Sequence, residues 1–362
     1  MPNVYAVIMA GGVGTRFWPR SREKTPKQLL EIVGKGTMIQ NTAGRLRDLI
    51  DPRKIVIVTN KTQKQALVRQ LPEIPLENIL LEPVGRNTAP CIGLAAMYIR
   101  RFDPEAVMVV LPADHIMQDE EEFRRVLRLA IWVAEESGSL ITVGIQPTRP
   151  ETGYGYIQVR DDEDKENPYF EKGVYRVRTF AEKPNLPTAY RFLESGDFLW
   201  NSGMFIWRVD AILREFALLL PEMNEELLKI DKAFGSEKFE QVFDIAYRTI
   251  RGISIDYGVM EKAKSVYVIK GNFGWSDVGS WDEVMRLASK DEQGNSSNGK
   301  VFFHNSKNTY VHAGNKFVAS VDVDNLIVIV TEDSVLVCKK DNSQDVKEVV
   351  DYLRRKQLND YL

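Results

Sequence analysis

The stretch VYAVIMAGGVGTRFWPRSREKTPKQ, residues 4–28, decides the fold of this chain. Its first six residues, Val4–Met9, are apolar and include β-branched side chains, which is typical of a buried parallel strand. Three glycines, Gly11, Gly12 and Gly14, follow almost at once. Glycine adopts backbone conformations that other residues avoid, and it lets N–H groups approach an anion closely. A strand that runs directly into such a loop predicts an α/β fold with a phosphate site beyond the end of the strand.

Four of the five cations within or just after this loop are singled out: Arg16, Arg20, Arg22 and Lys27. The loop is not a P-loop, which ends in Gly-Lys-Ser/Thr, and it lacks the third glycine of a dinucleotide fingerprint. A plain turn between a strand and the next element needs one or two glycines and no cations. The pattern therefore predicts binding of a polyphosphate. This binding does not require Arg20 and Arg22, which can be surface residues only.

The length predicts about two domains, and the composition agrees with an ordinary soluble enzyme. The 362 residues carry 48 cations and 51 anions, a net charge of −3, so no general attraction to nucleic acid or to an acidic membrane is expected. Cys91 and Cys338, the two cysteines, suit reduced thiols in the cytoplasm better than a disulfide framework. The first strand leaves no room for a signal peptide, and no uncharged apolar stretch is long enough to span a membrane.

Up to about residue 145 the chain alternates apolar runs with amphipathic stretches, which predicts βαβ units around a doubly wound, mostly parallel, Rossmann-like sheet. Thr37 and Gln40 form a capping-box pattern, and Asp119 and Gly138 are suited to begin and end a later helix. Ligands of such sheets bind beyond the carboxyl ends of the strands. The strands expected after the first cover residues 54–59, 78–81, 106–111 and 140–145.

The sequence pattern changes after residue 145. We interpret residues 146–275 as an insertion on one open core. Strands are expected near Tyr156, Val177 and Met204, and helices near 188–195, 209–219 and 237–250. The charged stretch at 161–166 is expected to be a solvated hairpin tip or loop. Short alternating strands between 300 and 340, including 309–312, 317–321, 326–330 and 335–338, predict a small β domain. A polar linker at 291–299 places the boundary between residues 1–290 and 291–362. The chain should close with an amphipathic helix whose apolar face carries Val346, Val349, Val350 and Leu353.

The pattern Gly11-Gly12-x-Gly14-Thr15-Arg16-x-Trp18-Pro19-x-Ser21-Arg22, followed by Pro26-Lys27-Gln28, resembles the signature of the sugar-1-phosphate nucleotidyltransferases. Its Phe-Trp-Pro variant resembles the branch of that family that joins GTP to mannose 1-phosphate. The resemblance implies the products GDP-mannose and pyrophosphate, a Mg²⁺ cofactor and a left-handed β-helix-like C-terminal domain. The apolar surface of that β domain can pair subunits, which predicts a homodimer. Two alternatives remain: a transferase for another base or hexose, and a regulatory subunit that senses nucleotide sugars without catalysis.

The metal ligands implied by the resemblance are Asp114 and Asp277. Mg²⁺ needs hard oxygen ligands and keeps several waters, so one or two carboxylates suffice. Asp114 follows the strand at 106–111, and Asp277 stands in a glycine-flanked turn; a helix or turn cap is the competing interpretation for both. His115 is expected to be a packed neighbour, because Mg²⁺ prefers oxygen to imidazole.

The phosphates are assigned to the loop. The resemblance implies that Arg16 and Lys27 hold the β- and γ-phosphates, with the backbone of Gly11, Gly12, Gly14 and Thr15 beside them. We expect Lys27 to be an exposed loop lysine that contributes little to stability. Glu82, Asn87 and Thr88 resemble the segment that faces guanine, although Asn87 and Thr88 also suit the start of the following helix.

Five further residues resemble the segments that bind the sugar phosphate. Carboxylates and amides can hydrogen-bond paired hydroxyls, and a lysine can contact the phosphate. For Lys183 the competing interpretation is a solvated lysine at a strand end, and for Asp256 it is a helix cap. The five are Gly153, Glu182, Lys183, Asn201 and Asp256.

Overall fold

The computed structural model describes residues 2–12, 14–160, 164 and 166–362, so most of the charged stretch at 161–166, predicted to be a solvated loop, lies outside the described residues. Within the described part, one large sheet organises the first 290 residues. Its strands are β1 (Val4–Met9), β2 (Ile55–Asn60), β3 (Ile79–Glu82), β4 (Val107–Pro112), β5 (Leu140–Ile145), β6 (Gly155–Val159), β7 (Val174–Glu182), β8 (Phe198–Arg208) and β9 (Val266–Gly271).

The strand order is β3-β2-β1-β4-β8-β5-β9-β7-β6. β1 pairs in parallel with β2 and β4, and β2 with β3, as the apolar runs of the first 145 residues predict. The α/β fold class is confirmed, and the sheet is more mixed than predicted. β8 lies antiparallel between β4 and β5, and β6 and β7 extend the far edge. The interpretation of residues 146–275 as an insertion is therefore wrong, because they supply four strands of the same sheet.

Helices cover the two faces of the sheet, with large apolar clusters on each side. Three local predictions are confirmed: the Thr37–Gln40 capping box, the Asp119 cap that accepts from the Glu122 N–H, and left-handed Gly138 at the helix end. The sequence patterns missed α7. The helices are α1 (Met38–Gly44), α2 (Lys64–Gln70), α3 (Thr88–Arg100), α4 (Glu120–Ser137), α5 (Leu186–Ser195), α6 (Val209–Leu219), α7 (Pro221–Ala233), α8 (Phe239–Thr249), α9 (Trp281–Leu287) and α10 (Val346–Arg355).

A second, smaller sheet follows in the order β10-β11-β12-β13. The two strands predicted at 309–312 and 317–321 are one continuous strand, β11, because β10 pairs along both parts of it with a single irregularity. The amphipathic helix predicted at the end of the chain is α10, whose buried face includes Val346, Val350 and Leu353. The strands are β10 (Ser296–His304), β11 (Tyr310–Val321), β12 (Leu326–Val330) and β13 (Val335–Lys339).

The two parts of the chain share a core. Phe17 and Trp18 from the glycine-rich segment pack with Trp281 of α9 and with Tyr310 and Ile327 of the smaller sheet. The Trp281 indole donates to the Trp18 carbonyl at 3.2 Å. The glycine-rich segment is thus anchored on the C-terminal β structure. Among the described helices, none is both long and apolar enough to cross a membrane.

Candidate active site

The glycine-rich loop takes its shape from one position in particular. Gly14 has φ = 66°, in the left-handed region, and a Cβ there would lie 2.6 Å from the Lys27 Cβ. A side chain at residue 14 would therefore be strained and would also displace Lys27. Thr15 opens a short 3₁₀ turn, Thr15–Phe17, directly after this glycine.

A cavity of about 470 Å³ opens at the carboxyl ends of the central strands, where ligands of doubly wound sheets bind. It brings together predicted residues from segments that are far apart in the sequence. Those lining it are Gly11, Gly12, Glu82, Asn87, Thr88, Gly153, Glu182, Asn201, Asp256 and Asp277, together with His115, Tyr154 and Trp275.

A second cavity of about 440 Å³ adjoins the first, because Gly153, Tyr154 and Asp277 line both. It contains the exposed Arg16 and also Lys183, two cations predicted to contact phosphates. Gly14, Thr15, Lys27 and Asp114 line neither cavity, although Lys27 contacts Asp277, which lines both. A chain of phosphates could thus run from the first cavity past Asp277 toward Arg16.

Lys27 is buried, with 4% of its surface exposed, so its prediction as an exposed loop lysine is wrong. Its Nζ donates to Asp114 Oδ2 at 2.9 Å and to the main-chain oxygen of Asp277 at 2.6 Å. The 3₁₀ turn Lys27–Leu29 folds the lysine back under the loop, which no local pattern indicates. A single ammonium therefore joins the two segments that carry the predicted metal ligands.

Asp114 lies just beyond β4 and keeps 37% of its side chain exposed. Burial alone would raise the pKa of its carboxyl, but the charge and the hydrogen bond of Lys27 oppose this, and the pKa is lowered. Neither Asp114 nor Asp277 caps a helix: the caps of α4 and α9 are Asp119 and Ser280. The competing interpretation of the two aspartates as helix caps is therefore wrong.

His115 packs edge-on against Trp275, whose indole N–H donates to His115 Nδ1 at 3.2 Å. Burial lowers the pKa of this imidazole, so it is neutral at pH 7. The expectation of a packed neighbour agrees with these contacts.

Tyr154 is the residue that sequence reasoning missed at this centre. Its hydroxyl donates to Asp277 Oδ1 at 2.6 Å, and its ring packs between Trp200 and Trp275 at centroid distances of 5.2 Å each. Burial, with the charge of Asp277, raises the pKa of this phenol, so it stays a proton donor. The Gly-Tyr-Gly-Tyr motif around Tyr154 was a signal available in the sequence. The sequence did not indicate its partner, Asp277, which lies 123 residues away.

The two carboxylates have the chemistry that a hard divalent cation requires. Each is held through one oxygen, Asp114 by Lys27 and Asp277 by Tyr154, which leaves the other oxygen for a cation. A Cβ at Gly279 would lie 3.2 Å from Asp277 Oδ2, so the glycine keeps that oxygen accessible. Among the described residues no three His, Cys, Asp or Glu side chains converge on a metal position. Two carboxylates fit a cation that takes its remaining ligands from water and phosphate.

The end of the cavity formed by β3 and α3 is built around a buried carboxylate. Glu82 is 6% exposed and accepts from the hydroxyl of Tyr247, on α8. Burial raises the pKa of Glu82 to about 7, although the Tyr247 hydrogen bond lowers it. Asn87 caps α3 by accepting from the Thr88 N–H at 2.8 Å, as predicted, and its φ of 71° turns the chain sharply at the cavity edge.

The opposite end gathers the residues assigned to the sugar. Asn201 Nδ2 donates to Asp256 Oδ1 at 2.7 Å, and the Asn201 side-chain oxygen accepts from the Gly203 N–H. Burial, followed by the charge of Glu182, raises the pKa of Asp256 to about 6. Lys183 binds Glu182 and is 59% exposed, which agrees with a strand-end lysine as well as with a phosphate ligand.

Arg20 and Arg22 do more than cover the surface. Arg22 bonds Asp333 at 2.8 Å and Ser334 at 3.2 Å in the turn after β12, and Arg20 donates to the Glu31 carbonyl. These four cations thus divide into two groups. Arg16 and Lys27 lie at the site, whereas Arg20 and Arg22 hold the loop through contacts to Glu31, Asp333 and Ser334.

Two family profiles match the chain. The family described as "Nucleotidyl transferase" matches residues 5–294, and the one described as "MannoseP isomerase/GMP-like beta-helix domain" matches residues 299–353. The second match agrees with the four-stranded C-terminal sheet.

The curated relatives carry consistent names. The chain is 40% identical to "Mannose-1-phosphate guanylyltransferase" of Klebsiella pneumoniae over 98% of its own length and 75% of the relative's. It is 39% identical to "Xanthan biosynthesis protein XanB" of Xanthomonas campestris over 98% and 74%. A crystal structure of a protein described as "mannose-1-phosphate geranyltransferase", from Thermus thermophilus, has 35% identity and a TM-score of 0.87, with 97% of this chain and 99% of that chain covered. The chain therefore belongs to the mannose-1-phosphate guanylyltransferases of the sugar nucleotidyltransferase family.

Proposed function

We propose that this chain transfers GMP from GTP to α-D-mannose 1-phosphate and releases GDP-mannose and pyrophosphate. The observation that carries the proposal is the Lys27 bridge, which brings Asp114 and the Asp277 segment together where the two cavities adjoin. A sensor without catalysis would not need two carboxylates held in this way beside a loop suited to polyphosphate. Arg16, Lys27, Asp114 and Asp277 are all present, so we do not favour the regulatory alternative.

The reaction is a single in-line displacement. A phosphate oxygen of mannose 1-phosphate attacks the α-phosphorus of GTP, and the bond from that phosphorus to the bridging oxygen breaks as pyrophosphate departs. Asp114 and Asp277 are our proposed ligands of a Mg²⁺ ion. When bound, Mg²⁺ supplies positive charge that neutralises the α-phosphate and the leaving oxygens. We assign no nucleophile to the protein and no covalent intermediate.

Arg16 and Lys27 serve the leaving group in this proposal. Arg16 is exposed in the second cavity, where it can contact the β- and γ-phosphates directly. Lys27 is committed to Asp114 and to the Asp277 carbonyl, so its charge acts from beneath the metal site. Both cations are aligned before the reaction begins, which is how electrostatic stabilisation of a transition state is most effective. Backbone N–H groups of Gly11 and Gly12 would lie beside the phosphates.

The substrates are assigned to the two ends of the first cavity. Glu82, Asn87 and Thr88 would hold guanine and its ribose. Gly153, Glu182, Asn201 and Asp256 would hold mannose, whose adjacent hydroxyls match paired acceptors and an amide. Lys183, in the second cavity, would contact the sugar phosphate. This division places the attacking oxygen near Asp277, which lines both cavities.

Three broader assignments complete the proposal. We assign the catalytic domain to residues 1–290 and the β domain, with its terminal helix, to 291–362. We place the enzyme in the cytoplasm, in agreement with the absence of a disulfide between Cys91 and Cys338. A homodimer is expected to form through the β domain, which exposes Phe302 and Phe317. Light scattering at several concentrations measures the subunit count, and a persistent monomer would contradict the dimer.

The most informative experiment measures pyrophosphate release for GTP, ATP, dTTP and UTP, each with mannose 1-phosphate and with glucose 1-phosphate. The proposal predicts the highest kcat/KM for GTP with mannose 1-phosphate, and no release once the metal is chelated. A preference for another pair would reassign the base or hexose, and no release with any pair would favour the regulatory alternative.

A further inference from the structure

We infer that Tyr247 is a positioning residue for base selection: it holds Glu82 so that one carboxylate oxygen faces the base end of the cavity. The inference rests on the proposed function, in which Glu82 contacts the base. Tyr247 itself does not line the cavity and lies behind Glu82.

The contact geometry gives the two oxygens of Glu82 different surroundings. The Tyr247 hydroxyl, fully buried on α8, donates to Oε1. Oε2 faces the glycine loop, because a Cβ at Gly11 would lie 3.2 Å from it, and Gly11 lines the cavity with Glu82. Tyr247 thus fixes the rotation of the carboxylate and leaves Oε2 directed to the ligand.

An ionised carboxylate only accepts hydrogen bonds. Guanine presents two neighbouring donors on one edge, N1–H and the 2-amino group, whereas adenine presents its N1 as an acceptor at the corresponding place. A fixed and ionised Glu82 therefore pairs with guanine and faces adenine N1 with a repulsive contact. Rejection of the wrong base is strong where a buried polar group would be left unpaired.

Two titratable groups face Glu82 from the elements packed against it, Tyr247 on α8 and Cys91 on α3, and Arg86, on the loop between β3 and α3, lines the same cavity. Burial raises the pKa of the Cys91 thiol and that of the Tyr247 phenol well above their usual values, so both stay protonated. Glu82, with its pKa raised by burial to about 7, is the group of this cluster that titrates near neutrality.

Removal of the Tyr247 hydroxyl has a predictable sign. The hydrogen bond from Tyr247 stabilises ionised Glu82, so Tyr247→Phe raises the pKa of Glu82 further above about 7. The protonated carboxyl can then donate to adenine N1, and the carboxylate is free to rotate. Both changes weaken the selection of guanine and shift the acid limb of GTP use to higher pH.

The test measures kcat/KM for GTP and for ATP, each with mannose 1-phosphate, from about pH 6 to about pH 9. The wild-type protein is compared with Tyr247→Phe and with a matched control, Tyr98→Phe. Tyr98 is also a buried tyrosine, and its hydroxyl donates to Asn78 at 2.9 Å outside the cavity. A thermal melt of each variant accompanies the kinetics.

We expect Tyr247→Phe to reduce the ratio of GTP to ATP use by about tenfold or more and to move the acid limb upward, while Tyr98→Phe changes neither. An unchanged ratio and limb in folded Tyr247→Phe would overturn the inference. If that variant fails to fold, Glu82→Gln decides: the inference predicts that its acid limb disappears, and a retained limb would overturn it. Failure of the wild-type protein to release pyrophosphate from GTP would instead refute the proposed function.

Discussion

The Nζ atom of Lys27 lies 2.9 Å from Asp114 Oδ2 and 2.6 Å from the main-chain oxygen of Asp277. These residues are 87 and 250 positions away from the lysine in the chain. One buried cation therefore couples the glycine-rich segment, the end of β4 and the turn after β9. Loss of this cation should disturb the fold and the chemistry together.

Lys27→Met tests that coupling. Methionine can fill the volume, but it leaves Asp114 and the Asp277 carbonyl without their donor. Because Asp114 is partly exposed, water limits the cost, and we expect the free energy of unfolding to fall by roughly 1–3 kcal/mol. Turnover should fall by about a hundredfold or more, as for loss of a preorganised transition-state donor.

Thermal unfolding and steady-state turnover measure the two effects. The control is Lys24→Met, which removes an exposed lysine from the same segment. A Lys27→Met protein with wild-type stability would contradict the bridging role, and one with wild-type turnover would contradict the electrostatic role.

Tyr154→Phe should weaken the metal site without removing a ligand. The variant keeps the ring between Trp200 and Trp275 but loses the hydrogen bond to Asp277 Oδ1. Residues that orient metal ligands commonly contribute about 10–100-fold to affinity, so we expect at least a tenfold rise in the half-saturating Mg²⁺ concentration. Mn²⁺ binding followed by electron paramagnetic resonance should weaken in parallel. Tyr190→Phe, at an exposed tyrosine, is the control, and equal Mn²⁺ affinity of Tyr154→Phe and wild type would refute the prediction.

Asp256→Asn should stabilise the protein and impair its use of the sugar. The pKa of Asp256 is raised to about 6, so the ionised form is disfavoured in the folded state, and its contribution to wild-type stability falls as pH rises from about 4 to about 6. At pH 7 the asparagine variant should therefore be more stable, by roughly 1–2 kcal/mol. Its KM for mannose 1-phosphate should rise.

Chemical denaturation at pH 7 and at about pH 4 measures this difference, which should vanish at the lower pH. Asp48→Asn, at an exposed aspartate, is the control variant. A variant that is less stable than wild type at pH 7 would mean that the Asp256 charge supports the fold.

Local sequence patterns predicted much of the fold. β1 and β5 have the predicted bounds, and α4 begins after Asp119 and ends at Gly138, as the capping rules require. Such features depend on residues that are neighbours in the chain. The position of β8 between β4 and β5 depends on pairing across the sheet, so an apolar run at 198–208 cannot reveal it.

The site could likewise be predicted only in part, because its contacts join residues that are far apart in the sequence. The resemblance named Asp114 and Asp277, but not the side chains that hold them. The Tyr154–Asp277 and Tyr247–Glu82 contacts join residues 123 and 165 positions apart. Tyrosines are common in cores, and only the folded chain distinguishes these two by the carboxylates that they contact.

A double-mutant cycle on Asp114→Asn and Asp277→Asn tests the central claim most directly, namely that both aspartates serve one centre for GMP transfer. The measurement is turnover of GTP with mannose 1-phosphate for each single variant, for the double variant and for Asp119→Asn, whose asparagine should still cap α4. Residues that act as a unit are strongly non-additive. We predict that each single variant loses about a thousandfold or more, that the double variant is hardly slower than either, and that the control is unaffected. Losses that multiply in the double variant, or near wild-type turnover in either single variant, would contradict a shared metal centre.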